Sequence, residues 1–405
     1  MGDSQPPAGA LTGRATPLPA AAGRRRAIAL YTGAVFLYWV TLYLYVPTLP
    51  VYVETKTDNL AMVGVVLSMY GLWQAVVRLP LGMVADWIGW RKPFIVGGLV
   101  LAGVGAVVMA QAGNVEAMIV GRAIVGLSAG TWVPLVVVFT GLFPPEQAVR
   151  ASTTITTIGT VGRLLATSAT GWLNNLGGYG LAFFLAAGAA WLAALVVLPA
   201  AEERRPPRRP SWRALGALIV RRDVLLPTLL AVLSQYVTWA TAFGFIAIIA
   251  DRMGATAVQQ SMLLTANLLA VAVGNLGATA ATRRFGSKPL VAASFVLLAA
   301  STAVVAAAPT LGWLFVAHAL NGLSHGVSYP VLMGLSIRYV ADAERTTAMG
   351  LHQAVYAIGM FAGPAVSGVL AESMGISLVF ALTAGVCLVV GVLGARMLRQ
   401  NGADV

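Results

Sequence analysis

The 405-residue sequence has little charge and almost no cysteine. Charged residues make up 10% of the chain, hydrophobic residues make up 58%, and the mean hydropathy is +0.82. Soluble globular domains carry about 25% charged residues, so this composition excludes such a domain and indicates a chain that lies mostly in lipid. The single cysteine, Cys387, excludes an intrachain disulfide and a metal site built from thiolates.

Acidic residues are missing from the middle of every long apolar run. All 14 Asp and Glu residues fall in tails, in connections or at the ends of runs, and Asp86, Asp251 and Glu372 come closest to a run's interior. A proton-coupled exporter of cations normally needs a carboxylate at mid-membrane, which binds the cation and exchanges it for a proton. The absence therefore argues against a cationic-drug antiporter of the usual kind.

Apolar runs of about 20 residues recur along almost the whole chain, and each is long enough to cross roughly 30 Å of hydrocarbon as a helix. Alternation with the period of a strand is absent, so a membrane β-barrel is not expected. The sequence predicts an all-α integral membrane protein with twelve transmembrane helices. They are placed near 28–52, 61–85, 93–112, 115–142, 150–173, 181–200, 224–250, 257–281, 289–308, 311–338, 346–371 and 376–397.

The net charge of +12 reflects 26 Lys and Arg residues against 14 Asp and Glu residues. The basic residues are unequally distributed between the connections on the two sides of the membrane. If the N-terminus lies inside, the outer connections keep only Lys56 and Arg252. This positive-inside pattern predicts that both termini are cytoplasmic. The basic charge therefore indicates topology, and no nucleic-acid partner is expected.

The polar segments divide the chain into five regions. We predict a disordered cytoplasmic tail over 1–26, which is rich in Pro, Ala and Gly, and a cytoplasmic linker over 201–223, which contains prolines and arginines. The first apolar run is too long for a signal-peptide core. The remaining regions are an N-terminal six-helix bundle over 27–200, a C-terminal six-helix bundle over 224–397 and a cytoplasmic tail over 398–405.

The two bundles share an internal repeat. Residues 122–134 read RAIVGLSAGTWVP and residues 318–330 read HALNGLSHGVSYP, with Ala, Gly, Leu, Ser, Gly and Pro matching at a constant offset. A second pair, GMVADWIGWRKP at 82–93 and TAATRRFGSKP at 279–289, follows the second helix of each half. Small residues also recur in helices simply for packing. The spacing nevertheless favours a duplication, in which one half rocks against the other around a central site.

A loop signature identifies a resemblance. Gly82, Asp86, Gly89, Arg91 and Lys92 match the pattern G-x-x-x-D-x-x-G-x-R-K that the major facilitator superfamily carries between its second and third helices. The chain resembles this family over nearly its whole length. The resemblance implies a secondary transporter that works by alternating access. It also implies that Asp86 latches the outward-open state by facing the start of the eleventh helix. The alternative is that the signature residues do no more than fix the loop's topology.

The fourth helix carries the family's R-x-x-x-G-x-x-x-G pattern at Arg122, Gly126 and Gly130. Two features depart from the family. The second half has Arg283 where the first has Asp86, and the fifth helix lacks the Gly-Pro pair that is usual in the drug/proton antiporter branch. The resemblance to that twelve-helix branch is therefore partial.

Three arginines, Arg78, Arg122 and Arg163, lie inside predicted spans, where an unpaired charge is costly. Helical spacing places Gln74 and Arg78 on one face and Thr160 and Arg163 on another, so both faces could line a polar cavity. Arg163, near the centre of its span, is expected either to face substrate or to bond a neighbouring helix. For Arg78 and Arg122 a packing or gating contact is the favoured interpretation.

Histidine titrates near physiological pH, so His325, at mid-depth, is the central candidate for a proton carrier. A hydrogen-bonded packing role is the alternative. The remaining predicted contributors to the cavity, which could equally be packing residues, are Tyr38, Gln235, Trp239, Asn321 and Tyr356.

We therefore expect a secondary transporter that moves a small anionic or neutral organic solute, with a proton as the coupling ion. The direction of efflux follows from the branch resemblance alone. The alternative is a multidrug/proton antiporter that exports amphipathic drugs. An enzyme would need clustered acids or nucleophiles, and an ATP-driven pump would need a phosphate loop; the sequence has neither. A channel is less compatible with the duplication. We expect a monomer in the inner membrane, with no cofactor and no metal.

Overall fold

The structure, a computed structural model, describes residues 21–200, 202, 212–341 and 344–398. Within these ranges the chain is helical and contains no strand. In chain order the spans are α1 (Ala21–Tyr43, continued by Val46–Thr48 and Leu49–Glu54), α2 (Leu60–Ile88), α3 (Lys92–Ala110), α4 (Val115–Ala129 and Trp132–Gly141), α5 and α6 (together Ala148–Val197), α7 (Arg222–Ala240, continued by Thr241–Phe245 and Ile246–Arg252), α8 (Ala257–Phe285), α9 (Ser287–Ala307), α10 (Leu311–Ile337), α11 (Arg345–Met374) and α12 (Ile376–Met397).

Ten helical stretches of the described chain are long and apolar enough to cross a membrane. One of them, Arg150–Val197, breaks at Gly177 and Gly178, where Gly178 has a φ of 65°, so it supplies both α5 and α6. The helix α10 is not among the ten, although its 27 residues span about 40 Å. Its polar residues, which include His318 and His325, lower its hydropathy. The predicted all-helical membrane fold is confirmed.

Helix packing repeats between the halves. In the first half α1 packs on α5, α2 on α4, and α3 on α4 and α6. In the second half the equivalent contacts join α7 to α11, α8 to α10, and α9 to α10 and α12. The two six-helix bundles are therefore pseudo-symmetric.

The repeated glycines explain part of the sequence repeat. A Cβ atom at Gly126 of α4 would lie 2.8 Å from the carbonyl oxygen of Met69 in α2. Its counterpart Gly322 of α10 would place a Cβ 2.2 Å from the carbonyl oxygen of Asn267 in α8. Both helix pairs approach so closely that only glycine fits between them.

The polar segments differ in part from the prediction. The helix α1 begins at Ala21, so residues 21–26 belong to a helix and the prediction of a disordered tail is wrong for them. The arginines at 24–26 are compatible with a helix because long basic side chains reach water from a helix end. The linker contains a short helix, Trp212–Ile219. Residues 1–20, 201, 203–211 and 399–405 lie outside the described chain, so the rest of the tails and linker stays a prediction, as do the domain limits and the cytoplasmic termini.

The two ends of the molecule carry different polar groups. The linker end carries Glu202 and the linker helix, and the far end carries Glu54, Arg252 and Glu372. At the far end Arg252 of α7 donates to Glu54 of α1 at 3.0 Å, and Glu372 of α11 accepts from the backbone N–H of Leu60 in α2 at 2.6 Å. These contacts join the two halves, so the far end is closed.

Candidate transport site

Aromatic side chains from both halves meet in the middle of the molecule. The ring of Tyr70 in α2 stacks on Trp239 in α7 with centroids 5.3 Å apart, and Trp239 stacks on Phe243 at 4.7 Å. Phe243 in turn meets Tyr43 of α1 edge-on at 6.2 Å. These four rings, with Trp39 next to Tyr43 at 5.7 Å, form what we call the central aromatic layer.

Arg163 of α5 lies against this layer. Its guanidinium carbon is 4.7 Å from the centre of the Trp39 ring and 5.8 Å from that of Tyr43, which are distances of cation–π contact. Its Nε donates to the carbonyl oxygen of Gly159 and its Nη2 to the hydroxyl of Thr160, each at 3.3 Å. A guanidinium has five N–H donors. Arg163 therefore keeps donors that a ligand could use.

A small cavity of about 10 Å³ adjoins Arg163 at the contact between α5 and α8. Its polar groups come from Thr160 and Arg163 of the first half and Asn275 of the second. This volume holds about one water molecule. In the closed arrangement the halves thus leave no room for a solute beside Arg163 on this side.

Arg122 of α4 lies at the other end of the aromatic layer, against Tyr70. Only 2% of the residue is exposed, and its guanidinium carbon is 4.6 Å from the centre of the Tyr70 ring. Its Nε and Nη1 are buried without a hydrogen-bond acceptor in the described structure. Unsatisfied donors on a buried cation are expensive, and the neighbouring hydroxyl of Tyr45 in α1 is an acceptor within the protein itself.

Arg78 of α2 bridges the halves. Its Nη1 donates to the hydroxyl of Tyr356 in α11 at 2.9 Å and to Oε1 of Gln74 at 3.3 Å. Only 7% of Arg78 is exposed. The contact with Tyr356 exists only while α2 and α11 are together at this depth.

His325 begins a row of rings on the second half. It lies 5.8 Å from Tyr329, which lies 5.8 Å from Tyr356. Nδ1 of His325 is buried without a described partner, whereas Nδ1 of His352 in α11 is 3.0 Å from the hydroxyl of Thr228. His325 is thus a half-buried ring with a free nitrogen near the Arg78 bridge.

Three other predicted residues make their described contacts inside one half. Asn321 donates to Thr241 at 3.1 Å and accepts from Asn267 at 3.2 Å, all within the second half. Gln235 packs where α7 meets α11. Tyr38 donates to the carbonyl oxygen of Ala129 at 3.1 Å within the first half. The structure therefore places Trp239, Tyr356, Arg78 and Arg163 at the contact between halves, but not these three.

Sequence reasoning missed Trp39, Tyr43 and Phe243. Trp39 and Tyr43 are spaced four residues apart, as are Trp239 and Phe243, on the first helix of each half. Rings at this spacing share a helix face, and the repetition of such a pair on α1 and α7 is the signal that could have identified them.

The signature loop lies at the linker end. Gly89 ends α2 with a φ of 70°, a left-handed conformation that glycine adopts without strain. Gly82 faces Val133 of α4. Asp86 forms an ion pair with Arg91 within the loop. The contact of Asp86 with the start of α11 stays a prediction.

Residues that follow α6, at the end of the first half, form hydrogen bonds with the signature loop. Glu202 accepts hydrogen bonds from the backbone N–H groups of Arg91 and Lys92, each at 2.7 Å. Nζ of Lys92 donates to the carbonyl oxygens of Leu198 and, at 2.9 Å, of Ala200. A carboxylate at the start of α3 satisfies free N–H groups and the positive end of the helix dipole. The loop and the beginning of the linker therefore form one unit.

Two pseudo-symmetric six-helix bundles around a polar and aromatic centre are the architecture of a class of membrane transporters. The sequence model of the Major Facilitator Superfamily matches residues 31–236 and 228–404. The chain belongs to this family. It is a multi-pass membrane transporter, and the family points away from an enzyme.

Known proteins agree with this assignment. The chain is 27% identical over 366 residues to a chloramphenicol efflux pump of Mycobacterium tuberculosis, with 80% of each chain covered. It is 44% identical over 69 residues to the inner membrane transport protein YajR of Escherichia coli, a match to 17% of this chain and 15% of that protein. The fold matches a bacterial Spinster homologue in an inward-facing, unoccupied conformation with a TM-score of 0.77, at 17% identity and over 95% of this chain and 100% of that one.

Proposed function

We propose that this protein is a secondary transporter that moves a small organic solute by alternating access, with an anionic solute favoured and efflux as the direction. The observation that carries the proposal is the charge of the centre. Arg78, Arg122 and Arg163 lie within spans around the aromatic layer, and every Asp and Glu of the described chain lies at or beyond a helix end.

The sign of this charge selects the solute. Two unit charges 4 Å apart interact by about 4 kcal/mol at the effective dielectric constant typical of protein sites. Three guanidiniums without a carboxylate therefore attract an anion and repel a cation at the same depth. The rings of Trp39, Tyr43 and Trp239 would contact the apolar part of the solute.

The contacts between halves support alternating access. The far end is closed by Glu54 with Arg252 and by Glu372 with the start of α2. Between that end and the centre, the hydroxyl of Thr265 in α8 donates to that of Thr167 in α5 at 3.0 Å. Each contact joins different halves, so rocking of the halves would break them together and open a path to the centre from the far end.

Efflux is supported by the similarity to a chloramphenicol efflux pump. A second candidate function is a multidrug/proton antiporter that exports amphipathic drugs, and the drug in that relative's name favours it. Chloramphenicol is an uncharged aromatic compound, and the central aromatic layer would stack with such a molecule. In this second function His325 would carry the coupling proton.

Thermal unfolding of the purified protein separates these functions. The ligands are 2-naphthoate, 2-naphthamide and 2-naphthylmethylamine, which share a ring system and differ in charge. Ligand at 100 times its dissociation constant stabilises a protein by about 2.7 kcal/mol. Arg163→Gln removes the central charge, and Arg283→Gln removes an exposed charge at the linker end of α8 as the matched control.

We expect 2-naphthoate to raise the melting temperature of the wild type and of Arg283→Gln but not that of Arg163→Gln. Stabilisation by the naphthamide in all three proteins would instead support the drug exporter. Stabilisation by the amine alone would refute the electrostatic argument.

A further inference from the structure

A second cavity, of about 350 Å³, lies away from the centre. It is formed at the linker end of the second half by the start of α7 and the ends of α10 and α12. Its apolar wall includes Leu226, Leu335, Met397 and Leu398. Such a volume is in the range of small-molecule sites, and the central transport site does not account for it.

The apolar wall continues along the outside of α12. Met397 is 57% exposed, and Leu393 and Val389, which precede it at four-residue spacing, are 52% and 57% exposed. Residues at this spacing share one helix face. In a membrane this face contacts lipid tails, so the cavity adjoins the tail region of the bilayer at its linker end.

The rim of the cavity is basic. Arg222, the first residue of α7, lines the cavity and has an exposed side chain, and the structure describes no ion pair for it. Asp223 also lines the cavity, but Arg221 binds it through Nη2 at 2.6 Å and Nε at 3.2 Å. These hydrogen bonds raise the pKa of Arg221 above its ordinary value, and they hold the Asp223 carboxylate against Arg221. The charge of Arg222 is left to attract an anion.

A second cation lies close by. The guanidinium of Arg338 is 5.7 Å from the ring centre of Tyr339, which lines the cavity. The first N–H groups of α7 have no partner within the helix. Helix N-termini and arginines are the groups that bind phosphate in proteins.

We propose that this cavity binds the phosphate headgroup of an anionic membrane phospholipid, with Arg222 as its contact and the acyl chains along the exposed face of α12. A headgroup at the start of α7 and a chain along Met397 and Leu393 use both the basic rim and the apolar wall. A free anion would use only the rim. The start of α7 directly follows the linker helix, so a bound lipid would also hold the linker at the membrane surface. This proposal does not depend on the transported solute.

The proposal is tested on the full-length protein in nanodiscs made either of phosphatidylcholine alone or of phosphatidylcholine with phosphatidylglycerol. Native mass spectrometry counts retained phosphatidylglycerol, and thermal unfolding measures its effect on stability. Arg222→Gln removes the proposed contact, and Arg283→Gln is its matched control. Leu335→Trp fills the cavity, and Leu276→Trp adds the same ring at a position that is 85% exposed on α8.

We expect phosphatidylglycerol to bind and stabilise the wild type, and Arg222→Gln to weaken its binding by about fivefold, the effect of one interfacial cation. Leu335→Trp should abolish the effect, while both control variants should retain it. If Leu335→Trp does not fold, the comparison of Arg222→Gln with Arg283→Gln decides alone. Equal effects of the two lipid compositions, unchanged binding in Arg222→Gln, or the same stabilisation by inorganic phosphate alone would overturn the proposal.

Discussion

Replacing Glu372 with alanine should loosen the closed far end. Glu372 lies near the end of α11 and accepts a hydrogen bond of 2.6 Å from the N–H of Leu60, the first residue of α2. A carboxylate in this place satisfies a free N–H group and faces the positive end of the helix dipole. Because α2 and α11 belong to different halves, this bond stabilises the closed state selectively.

The size of the effect follows from the geometry. A hydrogen bond to a charged group contributes about 1.5–3 kcal/mol when it is shielded from water. Glu372 is exposed, so solvent screening reduces the contribution to about 1 kcal/mol, which is about a fivefold change in the equilibrium. Glu54→Gln should have a smaller effect, below about twofold, because its partner Arg252 is 56% exposed.

Cysteine labelling measures this equilibrium. Thr167 is 0% exposed at the contact of α5 with α8, so Thr167→Cys should react with a membrane-impermeant maleimide only when the halves separate. The native Cys387 is buried and is replaced by serine to remove background. We expect Glu372→Ala to raise the labelling rate about fivefold, and Ser373→Ala, the adjacent control, to leave it unchanged. A labelling rate in Glu372→Ala equal to that of the control would refute this account of far-end closure.

Three further predictions follow from contacts elsewhere. A Cβ at Gly71 would lie 2.5 Å from the backbone nitrogen of Phe361 in α11, so Gly71→Ala should increase labelling at Thr167→Cys. Gly188→Ala is the control, because a Cβ there meets nothing within 4 Å. Equal labelling rates in the two variants would contradict the close approach of α2 to α11. Asn267→Ala removes the donor to Asn321 and to the carbonyl oxygen of His318. It should therefore lower the free energy of unfolding, measured by chemical denaturation, by about 2–3 kcal/mol. A loss below about 0.5 kcal/mol would show that this network is dispensable. If His325 carries a coupling proton, His325→Gln should abolish transport driven by a pH gradient but keep solute exchange. His352→Gln, the control, should keep both. Transport driven by a pH gradient in His325→Gln would refute the proton-carrying role.

The helices were predictable because lipid allows the backbone few solutions. The prediction of 311–338 for the tenth span agrees with Leu311–Ile337, although hydropathy alone does not identify this helix. It was predicted as one of the apolar runs of the sequence, and the glycine spacing that it shares with α4 marks it as the fourth helix of its half. The connection of α5 to α6 was less predictable, because the chain stays helical up to the break at Gly177 and Gly178.

The site was only partly predictable. A buried arginine is visible in the sequence because its cost in lipid demands a partner, and Arg78 and Arg163 do contact the other half or the central aromatic layer. The partner itself depends on which neighbour faces the side chain. Asn321 could have faced the other half, but Asn267 and Thr241 of its own half satisfy it, and helical spacing alone does not distinguish these cases.

The central claim is that a solute binds beside Arg163 and is carried across by the two halves. Counterflow of labelled 2-naphthoate in proteoliposomes tests it most directly. We expect saturable uptake that is accelerated by unlabelled 2-naphthoate inside the vesicles. Arg163→Gln should lose this counterflow, and Arg283→Gln should keep it. Flux that rises linearly with concentration and ignores internal solute, or counterflow unchanged in Arg163→Gln, would contradict it.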